Sequence, residues 1–112
     1  MVSKNNYEDA IKVFREHDHN VILFGASSGG EGFITNTGKR SMKEYNILAV
    51  ADNDKKKQGG NLLGVPIISP SQISMHKYDK IIITSRFFLG IEEQLIGELG
   101  INKDDIMLAP KC

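Results

Sequence analysis

The chain has 112 residues, of which 40% are hydrophobic and 25% charged, the composition of a single globular domain. Lys+Arg and Asp+Glu number 14 each, and the resulting net charge of zero argues against nucleic acid or a membrane surface as a charge-driven partner. The lone Cys112 excludes an internal disulfide and fits a reducing, cytoplasmic setting, while no apolar run has the length of a signal peptide or the roughly 20 residues that cross a bilayer.

In chain order, residues 6–18 carry Tyr7, Ile11 and Phe14 at the spacing of one helical face, which predicts an amphipathic N-terminal helix. Val21-Ile22-Leu23-Phe24 is a continuous apolar run that stops at Gly25, the pattern of a strand buried on both faces of a parallel sheet. A helix is predicted over residues 30–39, although Thr35, Asn36, Thr37 and Gly38 are poor helix formers. Ile47-Leu48-Ala49-Val50-Ala51 forms the second strand and ends at Asp52. Val65-Pro66-Ile67-Ile68 is a short third strand whose proline places it near a sheet edge. Ser69-Pro70 opens a helical segment over residues 69–75. Ile81-Ile82-Ile83-Thr84 is the fourth strand. Residues 88–99 are the clearest helix, with Phe88, Ile91, Leu95, Ile96 and Leu99 on one face and Gly100 to end it. Asp105-Ile106-Met107-Leu108 is the fifth strand. Alternating strands and helices predict an α/β fold: one Rossmann-like three-layer domain, a parallel sheet of about five strands in the order 3-2-1-4-5, and an extra N-terminal helix.

Five of the eleven glycines fall between Gly25 and Gly38. Strand, glycine turn and helix start follow one another, as in a dinucleotide site, where the first glycine makes the turn, the second admits a pyrophosphate and the third lets the helix pack close. Gly25 and Gly30 hold the first and third positions and Ser27 holds the second. A serine side chain narrows the gap but brings a hydroxyl donor, and free N–H groups at a helix start attract an anion. The alternative is a purely structural strand-to-helix turn. Asp52 lies 22 residues beyond Gly30, placed either to accept from a ribose diol or to form a turn with Asn53 and Asp54. Asp52-Asn53-Asp54 also has the Asp-x-Asp form of metal-dependent sugar transferases, but no ligand cluster accompanies it, and no metal is expected.

Thr84-Ser85-Arg86 follows the fourth strand at the edge facing the first, where Arg86 would pair with a phosphate or stack on a base, and Phe87 and Phe88 would wall a pocket or, for Phe88, join the core. Lys55-Lys56-Lys57 reads as a solvated turn that would reach a 2′-phosphate if the cofactor carried one. His17, His19 and His76 have no visible metal partners. No Ser-His-Asp order, nucleophile elbow or Tyr-x-x-x-Lys pair is present, so no catalytic residue is assigned.

The segments from Val21 to Glu31, Ile47 to Asp54, Leu63 to Pro70 and Tyr78 to Ser85 together resemble a small Rossmann-like module of bacterial surface-polysaccharide enzymes. The module is similar to the N-terminal domains of membrane-linked nucleotide-sugar dehydratases and epimerases and of left-handed β-helix sugar acetyltransferases, and the resemblance spans about residues 20–109. It implies a domain that binds NAD(P) or a UDP-sugar while catalysis belongs to another domain. By position, Gly25, Ser27, Ser28, Gly29 and Gly30 would hold the diphosphate, Asp52 and Asn53 the ribose or base, and Ser85 and Arg86 would line the far side. The expected partners are the nucleotide and a homo-oligomer or partner enzyme domain, with no nucleic acid and no membrane insertion. Two alternatives stand beside this: a small NAD-dependent dehydrogenase or epimerase acting as an oligomer, with Tyr45, Tyr78 and His76 as candidate acids or bases, and an interaction domain that has lost nucleotide binding.

Overall fold

A computed structural model describes residues 20–39 and 45–109. The helix expected at residues 6–18, His17, His19 and Cys112 lie outside them. The elements run β1 (Asn20–Phe24), α1 (Ser28–Lys39), β2 (Asn46–Ala51), β3 (Asn61–Leu62), β4 (Val65–Ile68), a 3-10 helix (Pro70–Met75), β5 (Lys80–Ile83), α2 (Phe88–Gly97), a second 3-10 helix (Lys103–Asp105) and β6 (Ile106–Leu108).

The sheet has the order β3-β4-β2-β1-β5-β6. All neighbours pair in parallel except β3 with β4. Numbered as the apolar runs were above, the parallel part is 3-2-1-4-5, the expected Rossmann-like arrangement, with β3 added at its border. In β1 and β5 the side chains alternate between faces, as a pleated strand requires. Ile22, Phe24, Ile81 and Ile83 share one buried cluster with Ile91 and Leu95 of α2 and Ile73 of the first 3-10 helix. Val21, Leu23, Val50 and Ile82 form the other, against Phe33 and Ile34 of α1. Both faces are therefore covered, which is why these strands read as unbroken apolar runs.

Two details depart from expectation. Phe88 is 38% exposed and not core. The buried residues of α2 are Ile91 and Leu95, so the helix is anchored from its second turn onward and Phe88 at its start is left uncovered. The extra strand β3 arises from a two-residue hairpin at Leu63 and Gly64, where both residues have positive φ, +51° and +89°. Two successive positive φ values are the signature of the hairpin turn whose twist matches its strands. Asn61 Oδ1 accepts the Gly64 N–H at 3.2 Å and closes it.

A candidate nucleotide site at the carboxyl edge of the sheet

The parallel strands β1, β2 and β5 all end at one edge, and nearly every predicted site residue is there. Gly25 follows β1 with φ +130°, a conformation open to glycine and strained for other residues. A Cβ on it would also meet Thr84 Oγ1 at 2.7 Å. Its N–H donates to the Ala51 carbonyl at 2.9 Å, so the turn is already tied to the end of β2.

The start of α1 is packed closely from beneath. A Cβ on Gly29 would run into the Thr84 carbonyl oxygen, and one on Gly30 into the Gly25 carbonyl oxygen. These glycines let the helix sit against both β1 and β5, the close-packing role expected of the third glycine. Gly30 is buried, whereas Ser28 and Gly29 are exposed. The first intrahelical bond runs from Glu31 N–H to the Ser27 carbonyl at 2.9 Å. By helix geometry, the N–H groups of Ser28, Gly29 and Gly30 precede any intrahelical acceptor. They form the positive end of the helix dipole at an exposed position. Ser27, at the second position of the motif, is exposed.

Asp52 takes the expected turn-forming role and adds a bond to the glycine turn. One carboxylate oxygen, Oδ1, accepts the Asp54 N–H at 2.8 Å, which is the turn-forming bond. The other, Oδ2, accepts the Ala26 N–H at 2.8 Å, 26 residues away. The carboxylate is thus fixed beside the glycine turn, and each oxygen keeps a further lone pair. The residues present fit a nucleotide in these respects: an exposed helix start and an oriented carboxylate with acceptor capacity left.

Asn53 is engaged elsewhere. Its Nδ2 donates to Gln94 Oε1 at 2.9 Å, and Gln94 Nε2 donates to Asn53 Oδ1 at 2.8 Å. Gln94 lies on α2, so this reciprocal amide pair joins the end of β2 to the helix after β5. On the β5 side, Ser85 Oγ accepts the Phe87 N–H at 3.0 Å. Arg86 is exposed, with its guanidinium carbon 6.0 Å from the Phe87 ring centre.

Sequence reasoning missed three contributors. Thr84 places its hydroxyl 3.1 Å from the Phe24 carbonyl oxygen and 3.0 Å from that of Gly25, tying β5 to the turn. Gln94 holds Asn53. Lys57 reaches back to the glycine turn, where Nζ donates to the Ala26 carbonyl at 3.0 Å. Only the run of lysines was visible beforehand; which of them folds back depends on the tertiary turn. The three acid or base candidates lie elsewhere. Tyr45 precedes β2, and His76 and Tyr78 precede β5, at the opposite edge of the sheet. Burial, and then the Asp105 carboxylate, hold the Tyr78 hydroxyl above its ordinary pKa, which makes it a poorer base near neutrality. Among the described residues no group of three or more His, Cys, Asp or Glu is arranged for a metal ion, and no helix is long and apolar enough to cross a membrane.

The family described as C2185-like, N-terminal, matches residues 17–107. No curated protein matches the sequence. Among solved structures, the chain is similar to RSP, a Rex-family repressor, at 17% identity and a TM-score of 0.63, covering 97% of this chain and 60% of that one. RSP in complex with β-NAD+ and operator DNA aligns at 18% identity and a TM-score of 0.62, over 95% of this chain and 57% of that one. UDP-D-quinovosamine 4-dehydrogenase from Vibrio fischeri aligns at 20% identity and a TM-score of 0.62, over 84% of this chain and 80% of that one. These likenesses establish the Rossmann-like fold, and the chain spans only about 60% of the length of RSP. They also correct one expectation. The balanced charge argues against nucleic acid, yet a protein with this fold is bound to operator DNA. Net charge is a sum over the whole chain, whereas DNA contacts depend on where the charges lie and on parts of a protein beyond this domain. A total of zero therefore excludes no such partner.

Proposed function

The chain belongs to the C2185-like, N-terminal family, and we propose that it is a non-catalytic module that binds NAD(P) or a UDP-sugar in bacterial surface-polysaccharide metabolism. The observation that carries this reading is the bond from Ala26 N–H to Asp52 Oδ2 at 2.8 Å, which sets an oriented carboxylate beside an exposed helix start. In this reading the ligand diphosphate is held by the turn and first helical N–H groups from Ser27 to Gly30. Asp52 accepts from a ribose hydroxyl with its remaining lone pairs, and Ser85 and Arg86 line the far side. Asn53 contributes through the amide pair with Gln94, whose outer donors and acceptors are what a base would meet. Catalysis is left to a partner domain or subunit, since the tyrosine and histidine candidates are at the wrong edge of the sheet.

The test is calorimetric titration with NADH and with a UDP-sugar. The expected result is binding in the micromolar range with at least one of them. Gly25→Val abolishes it, and Asp52→Ala weakens it about tenfold, roughly 1.4 kcal/mol, in protein whose circular dichroism is unchanged. Wild-type protein that binds neither ligand class sinks the proposal.

A further inference from the structure

Lys55, Lys56 and Lys57 are adjacent, but the fold treats them differently. Lys55 and Lys56 are exposed, while Lys57 is half-buried. The turn that carries them is fixed by its backbone. Lys56 N–H donates to Asp54 Oδ1 at 2.9 Å, and Lys57 N–H to the Asp54 carbonyl at 3.0 Å. Gln58 Nε2 then donates to the Asp52 carbonyl at 2.8 Å. This geometry sends the Lys57 side chain back across the end of β2 to the Ala26 carbonyl, 31 residues earlier in the chain.

Ala26 is consequently held at both ends by opposite charges: Asp52 takes its N–H and Lys57 its carbonyl. An ammonium group has three donors, and a single carbonyl engages one of them. A carbonyl is also a weaker partner for a full positive charge than an anionic oxygen. The charge is held within one residue of Ser27, where α1 begins. A helix start alone offers a partial charge that salt screens readily; Lys57 adds a full one at the same place.

We propose that Lys57 is the cation of this site, donating to the ligand's diphosphate from its position on Ala26 and so selecting nucleoside diphosphates and their derivatives over unphosphorylated nucleosides. The inference rests on the nucleotide-binding reading above and adds to it a residue and a ligand preference. The competing role for Lys57 is a clamp on the turn with no ligand contact.

The experiment titrates wild type, Lys57→Gln and Lys57→Arg with UDP and ADP-ribose, and with uridine and adenosine, at low and high salt, alongside thermal melts. The expected result is that Lys57→Gln weakens diphosphate binding about tenfold at low salt, while nucleoside affinity is unchanged. The salt dependence of diphosphate binding becomes shallower, because one screened charge contact has gone. Lys57→Arg retains most of the affinity. A clamp gives a different pattern, with Lys57→Gln lowering the melting temperature and weakening nucleosides and diphosphates alike; that pattern overturns the inference. Unchanged diphosphate binding in Lys57→Gln overturns it too, and leaves the nucleotide-binding reading intact. Wild-type protein that binds none of the four probes overturns both.

Discussion

The two sides of the candidate site at the carboxyl edge of the sheet are built in opposite ways. On the β2 side, polar groups are cross-connected: Gly25 N–H to Ala51, Ala26 N–H to Asp52, Lys57 to Ala26 and Gln58 to Asp52. On the β5 side, the turn after Thr84 and the start of α2 leave large side chains exposed. Phe87 and Leu89 are 73% and 66% exposed, and Arg86 is also outside the core. The difference separates two tasks. A preformed side loses little freedom when a ligand arrives, so it suits the invariant part of a ligand, a diphosphate or ribose. A side lined by large exposed side chains leaves room for groups that vary.

The sharpest way to break this contrast is Gly29→Val. Its Cβ collides with the Thr84 backbone carbonyl, which cannot rotate away, so the interlocked side must separate from β5. A loss of about 3 kcal/mol or more is expected in urea unfolding. Thr84→Val comes next. It removes a hydroxyl that serves two carbonyls, and about 1 kcal/mol should be lost; an unchanged midpoint would show that the hydroxyl does not hold the two sides together. Phe87→Ser probes the exposed side and should change stability by less than about 0.5 kcal/mol. A larger fall in the same urea titration would mean that the β5 side is as firmly built as the β2 side.

The parallel core was legible because a doubly buried strand has to be apolar throughout, and Val21 to Phe24 and Ile81 to Ile83 could be little else. Gly29 packs against Thr84 on another strand, which its spacing does not show, but Gly25 and Gly30 were legible as a turn followed by a tightly packed helix, because their spacing reflects contacts within one strand-turn-helix unit. The hairpin was not. Asn61–Leu62 has only two residues, and Leu63 is a poor advertisement for positive φ, since a branched side chain disfavours it. Phe88 misled because helical spacing records which residues share a face but not how much of that face is covered. Lys57 and Gln94 were hidden for a related reason: their partners, Ala26 and Asn53, lie 31 and 41 residues away, and only the crossover geometry brings them together.

The small strand β3 has one more effect. A parallel sheet ending in β4 would present an unpaired row of backbone groups to any passing chain. Here that border is capped by a strand of two residues that turns sharply at Leu63, and Pro66 in β4 has no N–H to offer. Such a border is a poor template for edge-to-edge aggregation. The Leu62 side chain of the same strand sits where a Cβ on Gly30 would meet it at 3.0 Å, so the device that protects the edge from self-association also props the start of the helix above it.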